Sequence, residues 1–285
     1  MEYLIKTKLK LLIKDKYLTD AHRHSFYDIG KVKNMENLSV EEWIENSDYI
    51  KFDQKTKSLR GESLSYYIKD WLEFSYNENI REILDFSAKH AREDLKEIYN
   101  SYNIKSFLPI KWTKISQITE ENIPNFIMLP DERELTGNIL KHIKMIINEF
   151  PTIKLTMHCL ESRFRKEIAL KKFGMSTIEF LDKHNMLNNQ LFLVHINEIS
   201  YKDIELMRKN NVKVVLCPLI REAFNYRTPY IPQDLDIYFG TDVPLISKNR
   251  SLIDVAVKQI NIWIQEGIKL DDALLSAKKA LINTI

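Results

Sequence analysis

Two rhythms alternate along the chain. Short apolar or β-branched runs occupy residues 16–22, 104–110, 125–130, 153–158, 191–196, 212–218 and 235–242. Runs of this length, bounded by turn residues, predict buried strands. Between most of them, apolar residues recur at three- and four-residue spacing, as in "LSYYIKDWLEF", "AREDLKEIYNSY", "ELTGNILKHIKMIINEF" and "STIEFLDKHN". That spacing places them on one face of a helix. Ser200, with Asp203 three residues on, predicts a helix start close to a capping box.

Strands that alternate with helices predict an α/β fold around a parallel sheet, open or closed. The seven strand candidates are one short of a (β/α)8 barrel, and the stretch 111–124 is the candidate for the missing one. Residues 25–61 read as a long polar loop. The 17-residue link from Pro218 to Leu235, with Pro229 and Pro232 inside it, leaves little room for a full helix. No internal repeat interrupts the pattern. Glycine, present only six times, is too scarce for flexible linkers, so one domain over residues 1–285 is expected.

Four of the seven histidines share one position, the C-terminal end of a predicted strand. His22 and His24 follow the first, His158 ends "IKLTMH" and His195 closes "LFLVH"; Asp242 ends "LDIYFGTD". Alternate residues of a strand point to the same side, so His22 and His24 could converge on one object. In a parallel barrel all strand C-termini open on one face, where active sites lie. Three imidazoles and a carboxylate form a donor set for zinc or iron. Any one of these residues alone is equally at home as a core histidine or a loop aspartate; their shared placement favours a metal. Glu161, three residues after His158, would sit one helical turn on and could move protons, or could simply oppose a helix dipole. His90, His142 and His184 lie in charged helical text and read as surface residues.

Composition narrows the class. The net charge of +2 gives no electrostatic pull toward nucleic acid. Cys159 and Cys217 offer no disulfide framework and suggest a reducing compartment, with the cytoplasm as the expected location. No apolar run approaches the roughly 18 residues of a membrane span. The basic segment "MEYLIKTKLKLLIKDK" lacks the features of a signal peptide and reads as a solvated lead. H-E-x-x-H, P-C-x-x-C and glycine-rich phosphate loops are absent.

Three longer segments resemble the amidohydrolase superfamily, and within it the triazine hydrolase and nucleobase deaminase branch. "MHCLESRFRKEIALKKFGMSTIEFLDKHNML" resembles its H-x-x-E segment. "LFLVHINEISYKDIELMRKNNVKVVLCP" resembles its strand-six histidine and the following Cys-Pro strand. "FGTDVPLISKNRSLID" resembles its strand-eight aspartate segment. The adenosine deaminase branch shares this layout, although Val243 stands where that branch has a second aspartate. The likeness implies a TIM-type (β/α)8 barrel, trimmed or irregular in one strand. With 21 residues before His22 and 43 after Asp242, the family's accessory β-sandwich is not expected. "LIREAF" replaces the small polar residues that follow Cys-Pro in relatives and often line the pocket.

The resemblance implies one divalent metal, zinc with iron(II) as the alternative, held by His22, His24, His158 and Asp242. It makes Glu161, His195 and Asp242 the catalytic groups. Glu161 would carry protons, His195 would polarise the substrate, and Asp242 would help take the proton of a metal-activated water. The implied reaction is hydrolytic deamination of an aminated heterocycle such as a nucleobase or nucleoside. An amide or ring-opening C–N hydrolase, and a metal-binding barrel without turnover, remain the alternatives. Trp71, Phe224 and Tyr226 are candidate pocket walls or plain core. The expected partner is a small-molecule substrate, with a second copy of the chain as the candidate cover for the bare barrel face.

Overall fold

The computed structural model describes residues 1–26, 40–87 and 91–285. Helix α1 (Glu2–Leu12) leads into β1 (Leu18–Arg23). Helices α2 (Val40–Glu45), α3 (Ser47–Lys57) and α4 (Gly61–Asn77) precede β2 (Ile80–Asp85). Then come α5 (Arg92–Ser101), β3 (Lys105–Phe107), β4 (Ile110–Lys111) and a 3-10 helix, Trp112–Gln117. From there the chain alternates: β5 (Phe126–Met128), α6 (Gly137–Glu149), β6 (Lys154–Cys159), α7 (Arg163–Phe173), α8 (Thr177–Lys183), β7 (Leu191–His195), α9 (Tyr201–Lys209) and β8 (Lys213–Leu216). It ends with α10 (Pro218–Ala223), β9 (Asp236–Phe239), α11 (Pro244–Ser247), α12 (Leu252–Gln265) and α13 (Leu270–Ile282).

Among the described residues the strands pair in parallel. One sheet has the order β1-β2-β3 and the other β4-β5-β6-β7-β8-β9. The seven expected strands are present, and three expectations change. The eighth strand is β2, not the stretch 111–124, which holds the 3-10 helix. Its charged positions Arg81 and Glu82 are half-buried while Ile80, Ile83 and Leu84 are buried, so the run hides its apolar half. The run 104–110 is split into β3 and β4 by Leu108 and Pro109; proline has no N–H for a ladder. The expected loop 25–61 contains α2 and α3, with residues 27–39 outside the described part. The link after Pro218 carries only the six-residue α10, as its prolines suggest.

The chain divides into two compact units. One comprises Met1–Leu108, Cys217–Tyr226 and Tyr238–Ile285; the other comprises Pro109–Leu216 and Arg227–Ile237. In the first, β1 is buried at all six positions, as expected of a parallel strand covered on both faces. Helix α4 turns Leu64, Ile68, Trp71 and Leu72 inward at helical spacing. Helix α12 buries nine of its fourteen residues, packed by α1 and α13. In the second unit, β7 is buried throughout and Phe192 meets Phe126 edge-on at 5.3 Å between centroids. Each such large apolar side chain contributes about 1.5–3 kcal/mol on burial. Among the described residues, no helix is long and apolar enough to cross a membrane.

Candidate functional site

In the first unit, the end of β1 presents His22, fully buried, and His24, half-buried. Asp242 lies just beyond β9. Its N–H donates to His22 O at 2.9 Å, and its carbonyl accepts from His24 N at 2.9 Å, forming a parallel bridge opposite Arg23. This short seam sets the side chains. His22 Nε2 stands 3.2 Å, and His24 Nε2 3.6 Å, from the same Asp242 Oδ1. The two rings are nearly perpendicular, with centroids 5.0 Å apart. Ligands about 2.0–2.1 Å from a tetrahedral zinc lie about 3.4 Å from one another, and these donor atoms have that separation. Two imidazole nitrogens and a carboxylate oxygen suit one divalent ion.

The seam is held from behind by groups the sequence reading did not select. Asp20, buried in β1, accepts from Thr241 N at 3.0 Å, from Thr241 Oγ1 at 2.5 Å and from His22 N at 3.4 Å. Arg23 Nη1 donates to Thr241 Oγ1 at 3.0 Å, and its guanidinium lies 3.8 Å above the Trp71 ring. Burial lifts the Asp20 carboxyl from 3.8 to about 6, against the opposing pull of Arg23 and the Thr241 hydrogen bonds. Gly240 makes the approach feasible. A Cβ there would lie 2.7 Å from His22 Cβ and 2.8 Å from His22 O. One layer further out, Asp85 accepts from Tyr99 Oη at 2.6 Å and from Ser25 N and Ser87 N. Burial and the neighbouring Asp85 push the Tyr99 hydroxyl well above its usual range.

The second unit gathers His158, Glu161 and His195. Register pairs His158 with Val194 and Cys159 with His195 across β6 and β7. The two imidazoles stand 5.4 Å apart at 30°. Glu161 Oε1 lies 3.8 Å from His195 Nε2, and both residues are buried. Glu161 is not one turn into a helix, as its spacing suggested. Ser162 caps α7, its hydroxyl accepting from Arg165 N, so Glu161 sits on the turn before the helix. That turn needs Leu160 at φ 48°, and the turn after β7 puts His195 at 74° and Ile196 at 47°. Left-handed backbone at leucine and isoleucine is strained, and such strain gathers at functional sites.

Of the other histidines, His142 is exposed and His90 lies outside the described residues. His184 is half-buried rather than superficial, with its ring 4.6 Å from Phe180. Trp71 is fully buried under Arg23 and belongs to the core. Phe224 stacks on Tyr226 at 5.3 Å, and the Tyr226 hydroxyl accepts from Val40 N. Cys159 and Cys217 are both buried and are not joined in a disulfide; burial raises the Cys159 thiol well above its usual range.

No family model matches the chain. It is 33% identical over 130 residues to 5-methylthioadenosine/S-adenosylhomocysteine deaminase of Pyrococcus horikoshii, a match covering 44% of this chain and 30% of that protein. The match therefore spans less than a third of the curated relative's length. Among solved structures, a zinc-bound adenosine deaminase from Xanthomonas campestris aligns with a TM-score of 0.72 at 12% identity, covering 93% of this chain and 66% of that one. The guanine deaminase of C. acetobutylicum, solved with guanine in its active site, aligns with a TM-score of 0.72 at 14% identity, covering 93% and 74%. The chain has the TIM-barrel type of α/β fold of these two deaminases, with its parallel strands in two sheets.

Proposed function

We propose that this protein is a metal-dependent hydrolase that removes an amino group from an aminated heterocycle, a nucleobase, nucleoside or related small molecule. The observation that carries the reading is the convergence of His22 Nε2 and His24 Nε2 on Asp242 Oδ1 at 3.2 and 3.6 Å. The names of similar proteins support it: one curated relative is a 5-methylthioadenosine/S-adenosylhomocysteine deaminase, and a similar structure holds zinc.

In this reading His22, His24 and Asp242 ligate one divalent ion, with His158 as the fourth ligand by the family resemblance. Zinc is the favoured metal and iron(II) the alternative. Such an ion, when bound, brings the pKa of water down to about 7 and so supplies a nucleophile at neutral pH. The chain's own groups do the rest. Glu161 takes one proton of the attacking water and delivers it to the ring nitrogen beside the reacting carbon. His195 donates a hydrogen bond to the charge that develops on the substrate. Asp242 takes the water's other proton and gives it up to the departing amine, which leaves as ammonia. In this reading the enzyme works in the cytoplasm, on a small molecule rather than on nucleic acid.

The test is an ammonia-release screen of the zinc-loaded protein over aminated purines, pyrimidines, nucleosides and triazines, repeated with Glu161→Gln. Turnover that falls by roughly 10²- to 10⁴-fold in the variant, with metal content retained, is the expected result. A wild-type protein inactive across the panel, or a variant as active as the wild type, would contradict the reading.

A further inference from the structure

Three successive carbonyls, beginning with the last residue of β6, accept from three successive residues after β7. Cys159 O takes Ile196 N at 3.0 Å, Leu160 O takes Glu198 N at 3.1 Å, and Glu161 O takes Asn197 Nδ2 at 2.8 Å. Two of the donors are backbone; the third is a side chain. Asn197 is buried, and its amide reaches the residue whose carboxylate faces His195. The turn is also held on its other side. Glu132, 1% exposed, accepts from Leu160 N at 2.8 Å and from Thr177 Oγ1 at 3.0 Å. Its neighbour Asp131 pairs with Arg165 Nη1, in the first turn of α7, at 2.9 Å.

These contacts explain how three non-glycine residues keep left-handed backbone angles. A turn with leucine at φ 48° relaxes unless several bonds fix it at once. Glu132 fixes its N–H, Glu198 N its carbonyl, and Asn197 the next carbonyl. The stretch that carries Glu161 is thereby tied to the stretch that carries His195.

We infer that Asn197 is a positioning residue for the Glu161–His195 pair, with Glu132 as the anchor behind it. The inference rests on the proposed function for its catalytic consequence, but the coupling of the two turns stands on geometry alone. Loss of the Asn197 amide leaves Glu161 O without its side-chain donor and frees the turn to rotate. A carboxylate displaced by about 1 Å costs on the order of 10²-fold in rate.

The experiment uses the full zinc-loaded chain with Asn197→Asp, which keeps the shape but removes the donor, and Asn197→Ala. Hydrogen exchange is read on peptides covering 159–163 and 195–199, and kcat and KM on the best substrate of the screen. The expected result is faster exchange in both turns together, with kcat lowered on the order of 10²-fold while KM and metal content hold. Exchange unchanged in the 159–163 peptide would overturn the inference. So would a variant whose kcat is intact, or one whose only change is a lower melting temperature. If Asn197→Ala does not fold, the isosteric Asn197→Asp decides alone. Should the wild type show no turnover on any substrate, the function reading fails, while the exchange result still decides whether Asn197 couples the turns.

Discussion

The two units hold their chemical groups by different means. In the first, His22, His24 and Asp242 are fixed by a buried layer of side chains: Asp20 and Arg23 grip Thr241, and Gly240 lets the strand ends close. In the second, Glu161 and His195 sit on two strained turns that bond to each other through backbone and are held by the Glu132 and Asn197 side chains. The difference follows from the task. Donors that share a metal need fixed separations, which packed and hydrogen-bonded neighbours provide. A group that gives and takes protons must be aimed, and a turn of defined φ aims it.

The sharpest way to break this contrast is at Gly240. Gly240→Ala drives a Cβ to within 2.7 Å of His22 Cβ, against backbone as well as side chain. The expected loss is about 3 kcal/mol, the upper end for overpacking, together with loss of metal; urea unfolding and metal analysis check both. In the second unit, Glu132→Ala leaves Leu160 N and Thr177 Oγ1 without this acceptor. About 1–3 kcal/mol of stability should be lost, seen in the same urea curves, while metal content stays. Loss of metal in this variant as well would erase the distinction between the units.

A smaller effect sharpens the first unit. Asp20→Asn keeps the shape of the group under Thr241 but weakens its acceptor character, and metal affinity measured against a competing chelator should fall about 10- to 100-fold. The smallest effect is in pH. Glu78 accepts from Ser251 Oγ and from Leu252 N at the start of α12, and burial lifts its carboxyl from 4.5 to about 7, with Asp254 and Asp20 pushing the same way. A raised acid stabilises the fold fully below its unfolded pKa and loses that contribution as pH rises through its folded one. Stability should therefore decline between about pH 4.5 and 7 by less than about 1.4 kcal/mol per pH unit, and Glu78→Gln should flatten the curve. An unaltered slope in urea midpoints of that variant would assign the dependence to another group.

Much of this was legible in the sequence because it depends on local order. H-x-H at a strand end and "GTD" at another carry their own placement, as does the Ser200–Asp203 capping box, which forms as its spacing predicts. What stayed hidden depends on partners far away in the chain. Asp20 reads as an ordinary acid until Thr241, 221 residues on, donates to it. Glu132 is one acid in "DERE" until Leu160 and Thr177 turn toward it. The helix expected at Glu161 failed because nothing in "HCLES" announces a left-handed leucine. Strand β2 was missed because Arg81, Glu82 and Asp85 leave only a short apolar run between them.

The central claim is that His22, His24 and Asp242 hold a divalent ion. Elemental mass spectrometry after zinc reconstitution tests it directly, on the wild type, Asp242→Asn and the double variant His22→Ala/His24→Ala, each with its circular dichroism spectrum. The account predicts about one zinc per wild-type chain, a weakened site in Asp242→Asn and none in the folded double variant. A wild-type chain without metal, or a double variant that keeps it, would contradict the account.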